Sequence, residues 1–213
     1  MDWLAVGVTL RLAVGTTAIL FVVGLPLAYW LATSRARGIA IVQAVVTLPL
    51  VLPPTVVGFY LLLLLGPRGP FGDLALAFRF PGVLLASVLV NLPFAVRPFA
   101  AAFAAIDPHL LEASWCLGVS RWRTFLRVAL PLAAPGVLAG CAMTFAHTLG
   151  EFGVVLMLGG GIPGETRTLS IAIYDDVQAL DYAAAGRTSL ALVVAAVAIL
   201  GGVHVWLRPA RAV

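Results

Sequence analysis

The chain has 213 residues, 62% of them hydrophobic and 10% charged, and its mean hydropathy is +1.08. Soluble domains carry about 25% charged residues, so the composition excludes a soluble globular protein and requires one embedded in lipid. The formal charge of +4 comes from thirteen Arg and no Lys against nine acids. These charges are spread along the ends of apolar runs, which makes them a topology signal and not a nucleic-acid patch.

The first uncharged run lies between Arg11 and Arg35. It is long enough to cross about 30 Å of hydrocarbon, with residues 1–10 expected outside or as a short surface helix. The next run, residues 38–67, is longer than the bilayer needs and holds Pro49, Pro53 and Pro54 in LPLVLPPTVVG. Proline removes a backbone donor and breaks a helix, so this stretch is either a kinked helix packed in a bundle or broken backbone lining a path. Residues 66–82 read as an outside connection, and residues 83–96 return to the cytoplasm, ending at Arg97. Ser87 and Asn91, four apart, share a helix face that packs against another helix.

Residues 132–158 form the fourth span and the most polar one. Thr144, His147, Thr148 and Glu151 fall at i, i+3, i+4 and i+7, on one face. An ionisable residue inside a span is costly and faces a bundle interior or a cavity. The stripe is therefore an interhelical brace or a path lining. Within that stripe Glu151 is cast as brace or gate. Residues 159–186 are expected outside, with Gly164, Glu165, Thr166, Arg167 and Thr168 in GIPGETRT, and residues 188–207 form the last span.

The arginines check this layout. Arg35, Arg37, Arg97, Arg121, Arg123, Arg127, Arg208 and Arg211 fall inside, eight in all, and Arg11, Arg68, Arg79, Arg167 and Arg187 outside, five. Five spans with the N-terminus out and the C-terminus in satisfy the positive-inside rule. The expected fold is all-α, a polytopic bundle forming one transmembrane domain over residues 1–213, with no internal repeat. No Walker A, Rossmann glycine pattern or nucleophile elbow is present. His109, His147 and His204 lie on separate elements, and Cys116 and Cys141 give no disulfide framework. No catalytic, cofactor-binding or metal residues are expected, and the chain has no visible engine of its own.

The polar-edged segment 107–131, DPHLLEASWCLGVSRWRTFLRVALP, is the handle. Asp107 caps a helix that begins at Pro108, Gly118 supplies a left-handed terminator, and Ser120 caps a second helix that Pro131 limits or kinks. An apolar stripe edged by Arg121, Arg123 and Arg127 fits either a lipid-surface segment or a docking element for a protein.

Glu112-Ala113, Gly118, Val128 and Leu130-Pro131 match the spacing of the EAA loop of ABC importer permeases, with Ser114 in place of the third Ala and Val128 in place of Ile. PLVLPPTVVGF, GPRGPFG, TLGEFG and IPGETRTLSIAIY further resemble the molybdate ABC permease family, over most of the chain from about residue 25 to residue 177. The TLGEFG stretch is also similar to sulfate permeases.

The resemblance implies a type I importer permease (MetI-like) fold of about five spans in a bacterial inner membrane. It implies two copies of the chain and two cytoplasmic ATPase subunits, which carry the ATP and Mg. An extracytoplasmic oxyanion-binding protein would deliver molybdate. Docking would use Glu112, Ala113, Ser114, Gly118, Val119, Arg121, Leu130 and Pro131. Pro53, Pro54, Thr144, His147, Thr148 and Glu151 are pathway or gate candidates. Tungstate and sulfate or thiosulfate are the alternative substrates, and a stand-alone channel or secondary carrier is the rival class.

Overall fold

A computed structural model describes residues 2–34 and 36–206. Arg35, Arg208 and Arg211, three of the arginines used for topology, lie outside these residues, as does the last residue of the expected fifth span.

The first helix, α1, spans Trp3–Thr33 without interruption. The segment before Arg11 is therefore part of the membrane helix and not a separate surface element. Asp2 caps it, accepting from the Ala5 N–H at 3.0 Å. Arg11 does not end the apolar run. Its guanidinium donates to the Gly164 carbonyl at 3.3 Å and lies 5.7 Å from the Phe80 ring centroid, so a flexible stem carries the charge to polar partners.

The second run is broken. Helix α2 spans Ile39–Val51, helix α3 spans Pro54–Leu65, and the two are bent by 108°. Pro53 stands at the break in an extended conformation, and Pro54 starts α3, where a missing N–H costs no helical bond. A short 3₁₀ turn, Gly72–Leu74, precedes helix α4, Phe80–Ala104. Helix α4 runs seven residues past Arg97, which is thus inside the helix and not at its end.

Helices α5, Pro108–Cys116, and α6, Arg121–Thr124, follow. Helix α6 passes through a π turn, Phe125–Ala129, into α7, Leu130–Leu149. Pro131 does not terminate the second loop helix. It has no N–H and would crowd the carbonyl four residues back, and just ahead of it the Leu130 N–H donates to Phe125, five residues back.

Where one fourth span is expected, the helix breaks after Leu149, and α8, Gly153–Gly159, is a separate half-helix. Helix α9 spans Leu169–Gln178 and α10 spans Tyr182–Trp206, starting before the predicted boundary. Among the described residues four helices are long and apolar enough to cross a membrane, and the α2–α3 pair makes a fifth span if counted as one.

Helices α1, α4 and α7 form the centre of the bundle. Near the α5 end they bury Leu20, Leu25, Val96, Phe99, Phe103, Phe125 and Val137. At the other end Leu12, Val83, Ala86, Val154, Leu158 and Ile171 form a second apolar cluster. Glycines on α7 set its distance from α4. A Cβ at Gly140 would meet the Phe99 ring at 2.7 Å, and one at Gly136 would meet the Ala102 Cβ at 2.5 Å. Close backbone approach of this kind supplies packing in lipid, where helices gain no hydrophobic drive from one another.

Gly140→Leu is therefore expected to overpack the α4–α7 contact, costing about 1–3 kcal/mol. Gly7→Leu, where a Cβ meets nothing within 4 Å, should change little. Thermal-aggregation midpoints of the two variants in detergent check this; equal midpoints would refute the close-approach role.

Candidate functional site

A polar layer separates the two apolar clusters. On α1 the buried Thr16 stands between Leu12 and Leu20, and on α4 the buried Ser87 and Asn91 stand between Val83 and Ala95. The Thr16 hydroxyl donates to Ser87 Oγ at 3.0 Å, and the Ser87 hydroxyl donates in turn to Glu151 Oε2 at 2.5 Å. The Asn91 side-chain amide donates to the same carboxylate oxygen at 3.1 Å. Asn91 Oδ1 pairs with His147 Nδ1 at 2.9 Å, and the His147 ring stacks on Phe94 with centroids 3.8 Å apart. Glu151 is only 5% exposed, and its other oxygen, Oε1, has no hydrogen-bond partner among the described residues.

Glu151 does not lie on the α7 helix, as the i, i+7 spacing predicted. It stands in the break between α7 and α8, its N–H donating to the Thr148 carbonyl at 3.2 Å. The expected four-residue stripe therefore divides. Thr144 and Thr148 are buried, and their hydroxyls donate to carbonyls one turn back on their own helix, Gly140 and Thr144. Such back-bonding loosens a helix, and it sits immediately before the break. Of the four residues, only His147 is exposed.

The two broken spans meet. A Cβ at Gly153 would lie 3.2 Å from Pro54 Cβ and 3.3 Å from Thr55 Cγ2, so the start of α8 rests on the start of α3. Gly58 extends this close packing: a Cβ there would meet Met157 Cβ at 2.8 Å and Val154 Cα at 3.1 Å. Pro53, Pro54 and Glu151, proposed separately from the sequence, thus belong to two breaks packed against each other. Ser87 and Asn91 were legible as a shared face, but their common partner was not. Thr16 carried no sequence signal, being one of two adjacent threonines in an apolar run.

The loop Gly164–Thr168 is an internal clasp. Thr166 is buried, its hydroxyl accepting from the Ile162 N–H at 2.9 Å and donating to the Gly159 carbonyl at 2.6 Å. Glu165 accepts from the Phe80 N–H at 3.0 Å. Arg167 pairs with Asp2 at 3.2 Å and Asp175 at 2.9 Å. Thr168 is buried, and Gly164 has φ +76°, the left-handed region that glycine enters freely. The clasp joins the starts of α1 and α4 to α9.

At the opposite end, α5 has the expected caps. Asp107 accepts from the His109 N–H at 2.9 Å. Gly118 has φ +74°; its N–H donates to Trp115 and the Val119 N–H donates to Ser114, the paired bonds of a Schellman terminus. Ser120 caps α6, accepting from the Arg123 N–H at 3.4 Å. Ser114 faces inward, and its hydroxyl shares a buried hydrogen bond of 2.9 Å with Thr124, clasping α5 to α6. Glu112, Ala113, Gly118 and Arg121 are exposed, as is Pro131; Val119 and Leu130 are half-buried. Around them Leu117 is 83% exposed and Trp122 64%. Arg121 lies 5.7 Å from the Trp115 ring centroid, and Glu112 pairs loosely with His109 at 3.5 Å.

A bundle of continuous and broken apolar spans, with a buried polar centre and a short helix pair projecting at one end, is the build of a membrane permease. The chain belongs to the binding-protein-dependent transport system inner membrane component family, whose model matches residues 24–209. It is 50% identical over 191 residues to the molybdenum transport system permease protein ModB of Azotobacter vinelandii, a match covering 86% of this chain and 84% of that one. Its fold is similar to a chain of a bacterial ABC transporter involved in import of the acidic polysaccharide alginate, with a TM-score of 0.80 at 21% identity over 98% of this chain and 79% of the other. It is also similar to a chain of the MetNI methionine ABC transporter in an inward-facing form, with a TM-score of 0.74 at 21% identity over 97% and 95%. The all-α, type I importer permease fold inferred from the sequence holds, with the span breaks as its main correction.

Glu151→Gln keeps an oxygen acceptor for Ser87 and Asn91 and should leave the thermal midpoint of the detergent-solubilised protein nearly unchanged. Glu151→Leu removes the acceptor of the Ser87 hydroxyl, at about 1–3 kcal/mol, and one of the acceptors of the Asn91 amide, which keeps the Ser87 carbonyl at 2.9 Å, and should lower that midpoint clearly. Equal midpoints would show that the carboxylate does not brace the helices.

Proposed function

We propose that this chain is the membrane subunit of an ATP-driven importer, and that two copies form the pathway for molybdate. The carrying observation is the exposed face of α5 and α6. Large apolar side chains, Leu117 and Trp122, stand uncovered beside Glu112 and Gly118, on a helix pair fixed from within by the Ser114–Thr124 bond. A rigid, partly apolar surface of this kind suits a protein partner, which we assign as a cytoplasmic ATPase subunit holding the ATP and Mg. The match to the EAA spacing and the 50% identity to a molybdenum permease support the assignment. On this reading the α5 end faces the cytoplasm, the N-terminus lies outside, and an extracytoplasmic binding protein delivers the oxyanion to the clasp end. The chain does no bond chemistry itself.

The coupling follows from continuity. Helix α6, the π turn and α7 form one candidate span, Arg121–Leu149, of 29 residues, or about 43 Å at 1.5 Å per residue. A push on α5 and α6 is therefore delivered along α7 to the break at Gly150–Phe152 and the polar layer beside it. A divalent oxyanion is prohibitively unstable in hydrocarbon and needs a protein-lined path. That path must hold it weakly enough to release it, which leaves tight selection to the binding protein.

Gly118→Trp adds bulk at a left-handed position on the docking face, and Glu112→Arg reverses a charge there. Both should insert normally and lose at least about tenfold of ATP-dependent molybdate uptake in vesicles carrying the complete complex. Parental uptake by both would remove the docking reading, and sulfate uptake without molybdate uptake by the parent complex would overturn the substrate.

A further inference from the structure

Arg97 was placed by sequence at a helix end, where an arginine anchors a span to the cytoplasmic surface. The structure puts it elsewhere. Helix α4 continues through Pro98, the fully buried Phe99 and on to Ala104, so Arg97 lies seven residues, about 10 Å of helix rise, short of the α5 end. Residues beyond it on α4 are apolar. An arginine at this depth is costly against lipid and marks a water-filled or protein-lined space.

That space is present. Arg97 lines a cavity of about 340 Å³ between α1, α2 and α4, with Gln43, Thr47 and the side chains of Val46 and Val96. Gln43 and Thr47 stand one turn apart on α2, the half-helix that leads to the Pro53 break, and the Thr47 hydroxyl donates to the Gln43 carbonyl at 2.7 Å. This leaves the Gln43 amide and the Arg97 guanidinium as the cavity's side-chain donors. Among the described residues no acid lines the cavity, and Arg97 forms no ion pair. Phe94, one turn from Arg97 on α4, carries the stacked and exposed His147. One side of the bundle therefore bears a strip of polar groups, whereas the middle of α10 turns Leu190, Val193, Val194 and Val197 outward, which suit lipid.

We propose that Arg97, with the Gln43 side-chain amide, is a contact site for the transported tetrahedral oxyanion on the α5 side of the bundle. The proposal rests on the oxyanion-permease reading above. A guanidinium offers a planar fork of donors that fits two oxygens of such an anion. One arginine and one amide supply few of the hydrogen bonds a dehydrated dianion needs, so the site is weak, as a transit site must be.

The experiment uses the complete complex in membrane vesicles, with Cys116→Ser and Cys141→Ala removing the native thiols and Thr47→Cys as a reporter in the cavity. An anionic sulfonate thiol reagent should label the reporter. Millimolar molybdate should slow labelling at least about threefold when Arg97 is present, and not at all in Arg97→Met. In the parent background, Arg97→Met should cut molybdate uptake per assembled complex at least about tenfold, with Arg97→Lys recovering part of it.

Absence of protection with Arg97 in place, or protection that survives Arg97→Met, overturns the proposal. So does parental uptake by Arg97→Met. If Arg97→Met fails to assemble, Gln43→Leu and Arg97→Lys take its place in the labelling assay, and undiminished protection in both overturns it equally. A parent complex that imports no oxyanion removes the proposed function instead; labelling still decides Arg97, because protection needs binding only.

Discussion

Interrupted helices in a membrane leave backbone groups that neither lipid nor an intact helix can satisfy, and this chain interrupts two. Its solution is to keep both interruptions inside the protein and against each other. Gly153 and Gly58 let α8 close on α3 until their backbones nearly touch, and Glu151 sits in the gap that opens between α7 and α8. The carboxylate is held by Ser87 and Asn91 from α4, and through Ser87 by Thr16 from α1. One side chain at a helix break thereby ties three helices at the level where the two apolar clusters divide.

The same arrangement separates the two ends of the molecule. Above the polar layer, the clasp of Thr166, Glu165 and Arg167 joins α1, α4 and α9 through hydrogen bonds and ion pairs that a few residues supply. Below it, Tyr29 packs edge to face on Phe103 with centroids 5.3 Å apart, and both rings pack tilted against Phe125 at 4.9 and 5.9 Å, carrying the base of α7 on α1 and α4. The polar layer lies between the clasped end and the end that carries the exposed α5–α6 surface. Serine at 114 fits this division: its hydroxyl binds α5 to α6 from the buried side, so the pair presents its outer face as one rigid piece.

The exposed polar strip and the exposed apolar faces divide the remaining surface. Helix α10 turns valines and leucines outward, as a lipid-facing helix must, while Gln43, Arg97 and His147 are exposed on α2, α4 and α7. Transfer of a guanidinium to hydrocarbon is expensive enough that the two surfaces need different neighbours.

Much of this was legible from local chemistry. The caps at Asp107 and Ser120, the left-handed Gly118 and the shared face of Ser87 and Asn91 all depend on neighbours within a turn or two, so the sequence by itself determined them, whereas Pro49, Pro53 and Pro54 marked an irregular span but left kink and break open. Composition likewise required a membrane bundle, because so few charges cannot solvate a soluble surface. Tertiary structure alone decided that Glu151 leaves its helix, that the two breaks pack together, and that Arg97 lies within a span facing a cavity. In each case the deciding partner comes from a segment distant in sequence: Pro54 for Gly153, Asn91 for Glu151, Gln43 for Arg97. Helical spacing registers only neighbours one turn away, and an arginine inside a span and one at its end look alike until the helix beyond it is seen to continue.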